Sequence, residues 1–173
     1  MKLSAMAQGL QEQRQSAQYQ ALGFEERLGM LVDREIEERE NRRLERMMKN
    51  AKLRHDAVIE DIDFHTPRGL ERSQILALAE GTWILNHHNL SIVGPTGCGK
   101  SFISCALARA GIKKGFSALY LRAPRMLETL EISRLDGRLA SVMASWARIE
   151  ILVIDDFLIR PLSPDQAGAL LEV

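Results

Sequence analysis

The sequence predicts an α/β protein built on a doubly wound parallel sheet, incomplete at its carboxyl end and preceded by a small helical segment. Three observations carry that prediction. A glycine-rich loop stands between an apolar run and a helical pattern, a second apolar run ends in two carboxylates, and such runs alternate with helical stretches in the rhythm of a parallel sheet.

Taken in chain order, residues 1 to about 61 are rich in Gln, Glu and Arg, carry no strand pattern and read as helices. Phe24, Leu28, Leu31, Val32 and Ile36 fall on one face of a helix that runs toward Arg54, a stripe that needs a partner surface. Pro67 and Gly69 break any helix and mark a connection, so the boundary is expected near Asp61, with a helical region over 1–61 and a nucleotide module over 62–173. Ser73 to Ala79 is a candidate helix. Asn89-Leu90-Ser91-Ile92-Val93 reads as a short buried strand.

That strand leads into Gly94-Pro95-Thr96-Gly97-Cys98-Gly99-Lys100-Ser101, which satisfies every fixed position of a phosphate loop. The glycines let successive backbone N–H groups turn inward around phosphates, Lys100 can reach the β and γ oxygens, and the Ser101 hydroxyl can sit on Mg²⁺. Ser101 to Lys114 has apolar residues at helical spacing, beginning with Phe102 and Ile103, and its amino terminus adds partial positive charge to the same anion site. A nucleoside triphosphate with Mg²⁺ is the expected ligand.

A strand is expected around Ser117 to Leu121, between Gly115 and Pro124, then a helical stretch from Met126 to about Trp146 interrupted at Asp136-Gly137. Ile151-Leu152-Val153-Ile154-Asp155-Asp156 follows, the pattern of a buried central strand with acids at its carboxyl end, where the metal of a phosphate-loop protein sits. Asp155 is suited to the Mg²⁺ shell and Asp156 to orienting or deprotonating an attacking water. No Asn-Lys-x-Asp guanine motif follows and no substrate lid is identifiable, so ATP hydrolysis is favoured over a GTPase or a small-molecule kinase. Ser163-Pro164 opens a last helix, with Ser as cap and Pro at the first position.

Bulk properties limit the alternatives. The chain has 173 residues, and 46% hydrophobic content is enough to fill one core. Formal net charge is zero, so any affinity for nucleic acid must come from a local patch. No apolar stretch approaches the roughly 20 residues of a membrane helix and the polar start is no signal peptide, which leads to an expectation of a cytoplasmic protein without membrane contact. Cys98 and Cys105 lack metal-ligand spacing and are expected as reduced thiols, and His55, His65, His87 and His88 lack ligand neighbours. Arg39, Arg42, Arg43, Arg46 and Lys49 recur at spacings of three and four, a ridge able to track DNA phosphates or meet a partner protein. Glu35 with Arg39, Glu38 with Arg42 and Glu45 with Lys49 are equally the i, i+4 pairs of an ordinary solvated helix.

With these motifs located, the chain resembles the IstB-type helper ATPases of insertion-sequence transposition, AAA+ proteins related to helicase loaders of the DnaC type. The resemblance spans the whole chain. It rests on Phe24-Glu25-Glu26-Arg27-Leu28, Asp33-Arg34-Glu35, Arg42-Arg43, Ala51-Lys52-Leu53, Asp63-Phe64, Arg68-Gly69-Leu70, the phosphate loop, and Ile154-Asp155-Asp156-Phe157 before Pro161-Leu162-Ser163. It implies an ATP-driven oligomer that engages double-stranded DNA and hands a transposase its target, with the amino-terminal helices contacting other proteins and Phe64 walling the base side. A helicase loader and a nonhydrolysing ATP-bound adaptor are the rival readings. Most AAA+ enzymes have Glu where this chain has Asp156, which implies turnover that is slow or partner-assisted. The chain stops at Val173, before the strands, sensor, arginine finger and lid of a full AAA+ module, so a truncated module that binds ATP without efficient turnover is expected.

Overall fold

The computed structural model describes residues 3–157 and 162–171. Two compact units result, Met1–Arg46 and Met47–Val173. The division comes earlier than the expected boundary near Asp61. Its physical reason is packing: Ala57 and Ile62 are buried with Ile103, Cys105, Ala106, Leu107 and Tyr120 in one cluster, so the segment after the long second helix belongs to the nucleotide module.

The first unit is built from helix α1 (Ser4–Gln15) and the larger part of α2 (Phe24–Ala51), joined through a 3₁₀ turn at Ala17–Tyr19. Glu35 is 6% exposed, and its carboxylate accepts hydrogen bonds from the backbone N–H groups of Ala5 (3.0 Å) and Met6 (3.1 Å). Those N–H groups open α1 and have no partner within the helix. Arg39 donates to the same carboxylate at 2.8 Å. Gly9 allows the close approach of the two helices, since a Cβ there would come within 2.8 Å of Leu31 Cδ2. Gln13 and Arg27 exchange hydrogen bonds and Arg34 pairs with Glu12.

This arrangement corrects the apolar-stripe expectation. Within the predicted stripe Leu31 is buried, whereas Phe24 is 77% exposed and Leu28, Val32 and Ile36 are also exposed. The face of α2 that meets α1 carries Leu31 together with the polar Glu35, because α1 presents hydrogen-bonding groups there: its first N–H groups and Gln13.

In the second unit Lys52, at φ 51°, ends α2 in a left-handed turn. Helices α3 (Arg72–Ala79) and α4 (Thr82–Leu85) follow, then α5 (Lys100–Lys113), strand β1 (Ala118–Arg122), α6 (Ala123–Leu135), α7 (Leu139–Trp146), strand β2 (Ile151–Asp155) and α8 (Pro164–Leu171). β1 and β2 are parallel, with Ala118 opposite Ile151 and Arg122 opposite Asp155, and α6 and α7 make the crossover. The expected break near Asp136-Gly137 separates α6 from α7, Gly137 taking φ 69°. Ser163 and Gln166 exchange hydrogen bonds of 3.2 Å in both directions, closing a capping box on α8.

Helix α5 occupies the centre of this unit. Ile103, Cys105, Ala106, Leu107, Ala108, Gly111 and Ile112 are all buried. Its small residues admit β2, and a Cβ at Gly111 would come within 2.3 Å of Ile151 Cδ1.

The sheet differs from the expectation. Among the described residues it has two strands, and 89–93 is not one of them. Extended backbone becomes a strand only by pairing, and the described residues give this segment no ladder partner. Ile92 packs on the core while Val93 is 90% exposed. Likewise β2 is only partly buried beyond Ile151, because its one described neighbour is β1. The structure is therefore an α/β protein with a small parallel sheet. The Pro161 of the sequence pattern lies outside the described residues.

Candidate functional site

The loop 94–99 turns on glycine. Gly97 at φ 82° and Gly99 at φ 94° occupy the left-handed region that side chains disfavour, and Gly99 leads directly into α5, where Ile103 N–H closes the first helical bond onto its carbonyl at 2.9 Å. A Cβ at Gly97 would meet nothing within 4 Å, so the loop is open on that side. Lys100 folds back over the loop, its Nζ donating to the carbonyls of Gly94 (2.9 Å) and Pro95 (2.7 Å). Thr96 is exposed at the loop's tip, and Cys98 is a half-buried free thiol.

Ser101 Oγ donates to Asp155 Oδ2 at 2.7 Å, so the first turn of α5 and the end of β2 meet. Tyr120, on β1, donates its hydroxyl to the same oxygen, and Arg54 NH1 lies 3.6 Å from it. Burial works against ionisation of Asp155, but the hydrogen bonds from Tyr120, Ser101 and the Asp156 N–H, with the Arg54 charge, outweigh it and hold the carboxyl below its ordinary range. The phenol of Tyr120 responds oppositely: burial and the neighbouring carboxylate push it up to about 12.

Asp156 takes φ 56°, and its N–H donates to Asp155 Oδ1 at 2.9 Å. Its own carboxylate is engaged by Arg122 Nε at 2.6 Å. On the other flank, Arg68 donates to the Cys98 carbonyl at 3.1 Å and to the Asp63 carbonyl, tying the connection before α3 to the loop. Phe64 is half-buried on the core with the Arg72 guanidinium 5.9 Å from its ring, and Phe102 faces His55 at 6.2 Å between ring centroids.

Of the residues singled out in the sequence, the fold thus brings Ser101 to Asp155 and Lys100 to Gly94 and Pro95, and sets Asp156 against Arg122. On α2, Arg39 and Arg42 make the anticipated i, i+4 pairs with Glu35 and Glu38, both at 2.8 Å, while Arg43, Arg46 and Lys49 are exposed. Tyr120, Arg54, Arg68 and Arg122 escaped the sequence reading. For Tyr120 a signal existed, since a polar hydroxyl in the middle of an apolar strand requires a partner. Arg68 stood only within the Arg68-Gly69-Leu70 pattern of the family resemblance, with no role attached, and for Arg54 and Arg122 there was no signal.

The donor set fits a hard divalent cation. A serine hydroxyl beside an ionised carboxylate is the oxygen chemistry Mg²⁺ takes, usually alongside phosphate and water. Among the described residues no three His, Cys, Asp or Glu side chains cluster to hold a metal unaided, so phosphate and water oxygens would complete such a shell. No helix among the described residues is long and apolar enough to cross a membrane.

Comparison with known proteins bears on this arrangement. The family described as IstB-like ATP binding protein matches residues 1–173. The chain is 42% identical over 174 residues to a Pseudomonas fluorescens protein named as an ATP-binding protein of insertion sequence IS1162, covering all of this chain and 75% of that protein. A Sinorhizobium fredii protein named as an insertion sequence ATP-binding protein is 38% identical over 173 residues, covering all of this chain and 71% of its own length. A Bacteroides fragilis protein named as an IS21-like insertion sequence ATP-binding protein is 30% identical over 179 residues, covering all of this chain and 87% of its own.

Proposed function

Because the chain belongs to the family of IstB-like ATP-binding proteins, we propose that it is a helper ATPase of DNA transposition. In this reading it binds Mg-ATP at the phosphate loop, engages double-stranded DNA in an ATP-dependent way and delivers that target to a transposase, acting as an oligomer in the bacterial cytoplasm. The observation that carries the nucleotide part is the 2.7 Å contact between Ser101 Oγ and Asp155 Oδ2, which joins two motifs 54 residues apart. The insertion-sequence names of the relatives support the transposition part.

Each residue has a role in the reading. The backbone of residues 94–99, with Gly97 and Gly99 in their left-handed conformations, wraps the phosphates. Lys100 neutralises the β and γ oxygens, exchanging its carbonyl partners for phosphate. Ser101 and Asp155 hold Mg²⁺, which when bound neutralises charge on the terminal phosphates. Asp156 orients the attacking water, and Arg122 keeps its carboxylate turned until then. Phe64 and Phe102 border the nucleotide. Helix α2 carries the DNA and partner contacts through Arg39, Arg42, Arg43, Arg46 and Lys49, and the nucleotide module that follows is part of a doubly wound parallel sheet of AAA+ type.

The test is calorimetric titration of Mg-ATP into the wild-type chain and Lys100→Ala, with phosphate release measured with and without duplex DNA. Binding by wild type and its loss in Lys100→Ala are expected, with turnover that rises on DNA. Equal binding by the two proteins overturns the site.

A further inference from the structure

We propose that Arg54 is a second cationic contact for the terminal phosphate of the nucleotide, supplied from outside the phosphate loop and selecting ATP over ADP. The inference rests on the nucleotide site proposed above and adds to it a residue that lies in none of its motifs.

Arg54 follows the left-handed turn at Lys52 by two residues. Its NH1 lies 3.6 Å from Asp155 Oδ2, beyond hydrogen-bond length, and Oδ2 already accepts from Ser101 and Tyr120. The carboxylate therefore holds the guanidinium by charge and not by a paired fork of hydrogen bonds, although Arg54 also has a hydrogen bond with Tyr120. The arginine side chain is 49% exposed, so it has room to turn. The next residue fixes where it turns: His55 stacks at a tilt on Phe102, immediately after Ser101, which anchors this stretch on the first turn of α5. That turn is the positive end of the helix and the place where an anion is favoured.

Charge balance gives the rest of the argument. An arginine stays protonated at any working pH. Once a divalent cation takes up the Asp155 carboxylate, the guanidinium faces another cation and keeps only Asp156 as an acid in range, whose carboxylate Arg122 already engages. The further anion that can compensate it is on the serine and metal side of the phosphate loop, which is the β,γ side of a bound triphosphate. The planar guanidinium matches phosphate oxygens two at a time, and ADP lacks the phosphate on which that match depends.

Calorimetric titration with Mg-ATP and Mg-ADP separately, on wild type, Arg54→Ala, Arg54→Lys and Lys100→Ala, tests this. Arg54→Ala should weaken Mg-ATP about tenfold or more, the loss of a charged hydrogen bond, while Mg-ADP changes by less than about threefold. Arg54→Lys, which keeps charge without the fork, should fall between and provides the reading if the alanine variant folds poorly. An ATP-to-ADP ratio unchanged in both Arg54 variants, while Lys100→Ala loses both ligands, overturns the inference and leaves the site standing. Binding unchanged in Lys100→Ala overturns the site itself.

Discussion

Ser101 Oγ and Asp155 Oδ2 lie 2.7 Å apart, a hydroxyl donating to a carboxylate across the gap between the start of α5 and the end of β2. Asp155→Asn keeps the shape and removes the charge, so Mg²⁺ should lose its carboxylate ligand. Titration of ATP with and without Mg²⁺ checks this: the metal should strengthen binding in wild type and do so far less in the variant. An equal metal effect in both would assign the cation to other ligands.

Tyr120 is buried and donates to the same carboxylate. Tyr120→Phe should cost about 1 kcal/mol of folding stability, the net worth of one hydrogen bond, read from a urea midpoint. The wild-type phenol, pushed up to about 12, stays protonated in the fold while an unfolded tyrosine ionises near 10. Its contribution is therefore present in full below pH 10 and is lost as pH rises through about 12. Absorbance titration of phenolate in wild type against Tyr120→Phe isolates that ionisation.

Glu35 works in the opposite pH range. Its carboxyl is held below the ordinary value of 4.5 by the Arg39 hydrogen bond first and by the Met6 and Ala5 N–H groups. Its stabilisation is thus present above pH 4.5 and disappears as pH falls through the lower folded value. Protection of the Ala5 and Met6 amides, measured against their intrinsic exchange rates, should fall on acidification, and in Glu35→Gln it should be low already at neutral pH. Slow exchange in that variant would mean that other groups dock α1.

Gly111 faces Ile151 with no space for a side chain. Gly111→Val should destabilise the second unit by about 1–3 kcal/mol through overpacking, seen as a lower urea midpoint. An unchanged midpoint would mean that Ile151 moves aside without cost.

The basic residues of α2 give a salt-dependent test. Reversing charge at Arg42, Arg43 and Arg46 together should weaken duplex DNA binding and flatten its dependence on salt by about one unit of slope for each DNA phosphate that is no longer neutralised. Arg42 already pairs with Glu38, so its share should be smaller than that of Arg43 or Arg46. A slope unchanged from wild type assigns this face to solvent or to a protein partner.

What the sequence determined by itself is what neighbouring residues can encode. Glycines at 97 and 99 specify a left-handed loop, the periodicity after Lys100 specifies α5, and Ser163 with Gln166 specifies the cap of α8, because each depends on backbone geometry within a turn or two. The branched run 151–154 with its two acids specified β2 in the same way. Tertiary structure alone decided the partners of those acids. Arg122 meets Asp156 because β1 and β2 pair in parallel with Arg122 opposite Asp155, and that register is a property of two strands separated by α6 and α7. It decided equally that 89–93 is not a described strand, since an extended segment needs a neighbour for its ladder, and that α2 buries Glu35 while leaving Phe24 exposed, since α1 offers unpaired N–H groups there. Local patterns fix backbone conformation over a few residues. Which carboxylate meets which cation depends on how distant segments pack, and no short window of sequence carries that information.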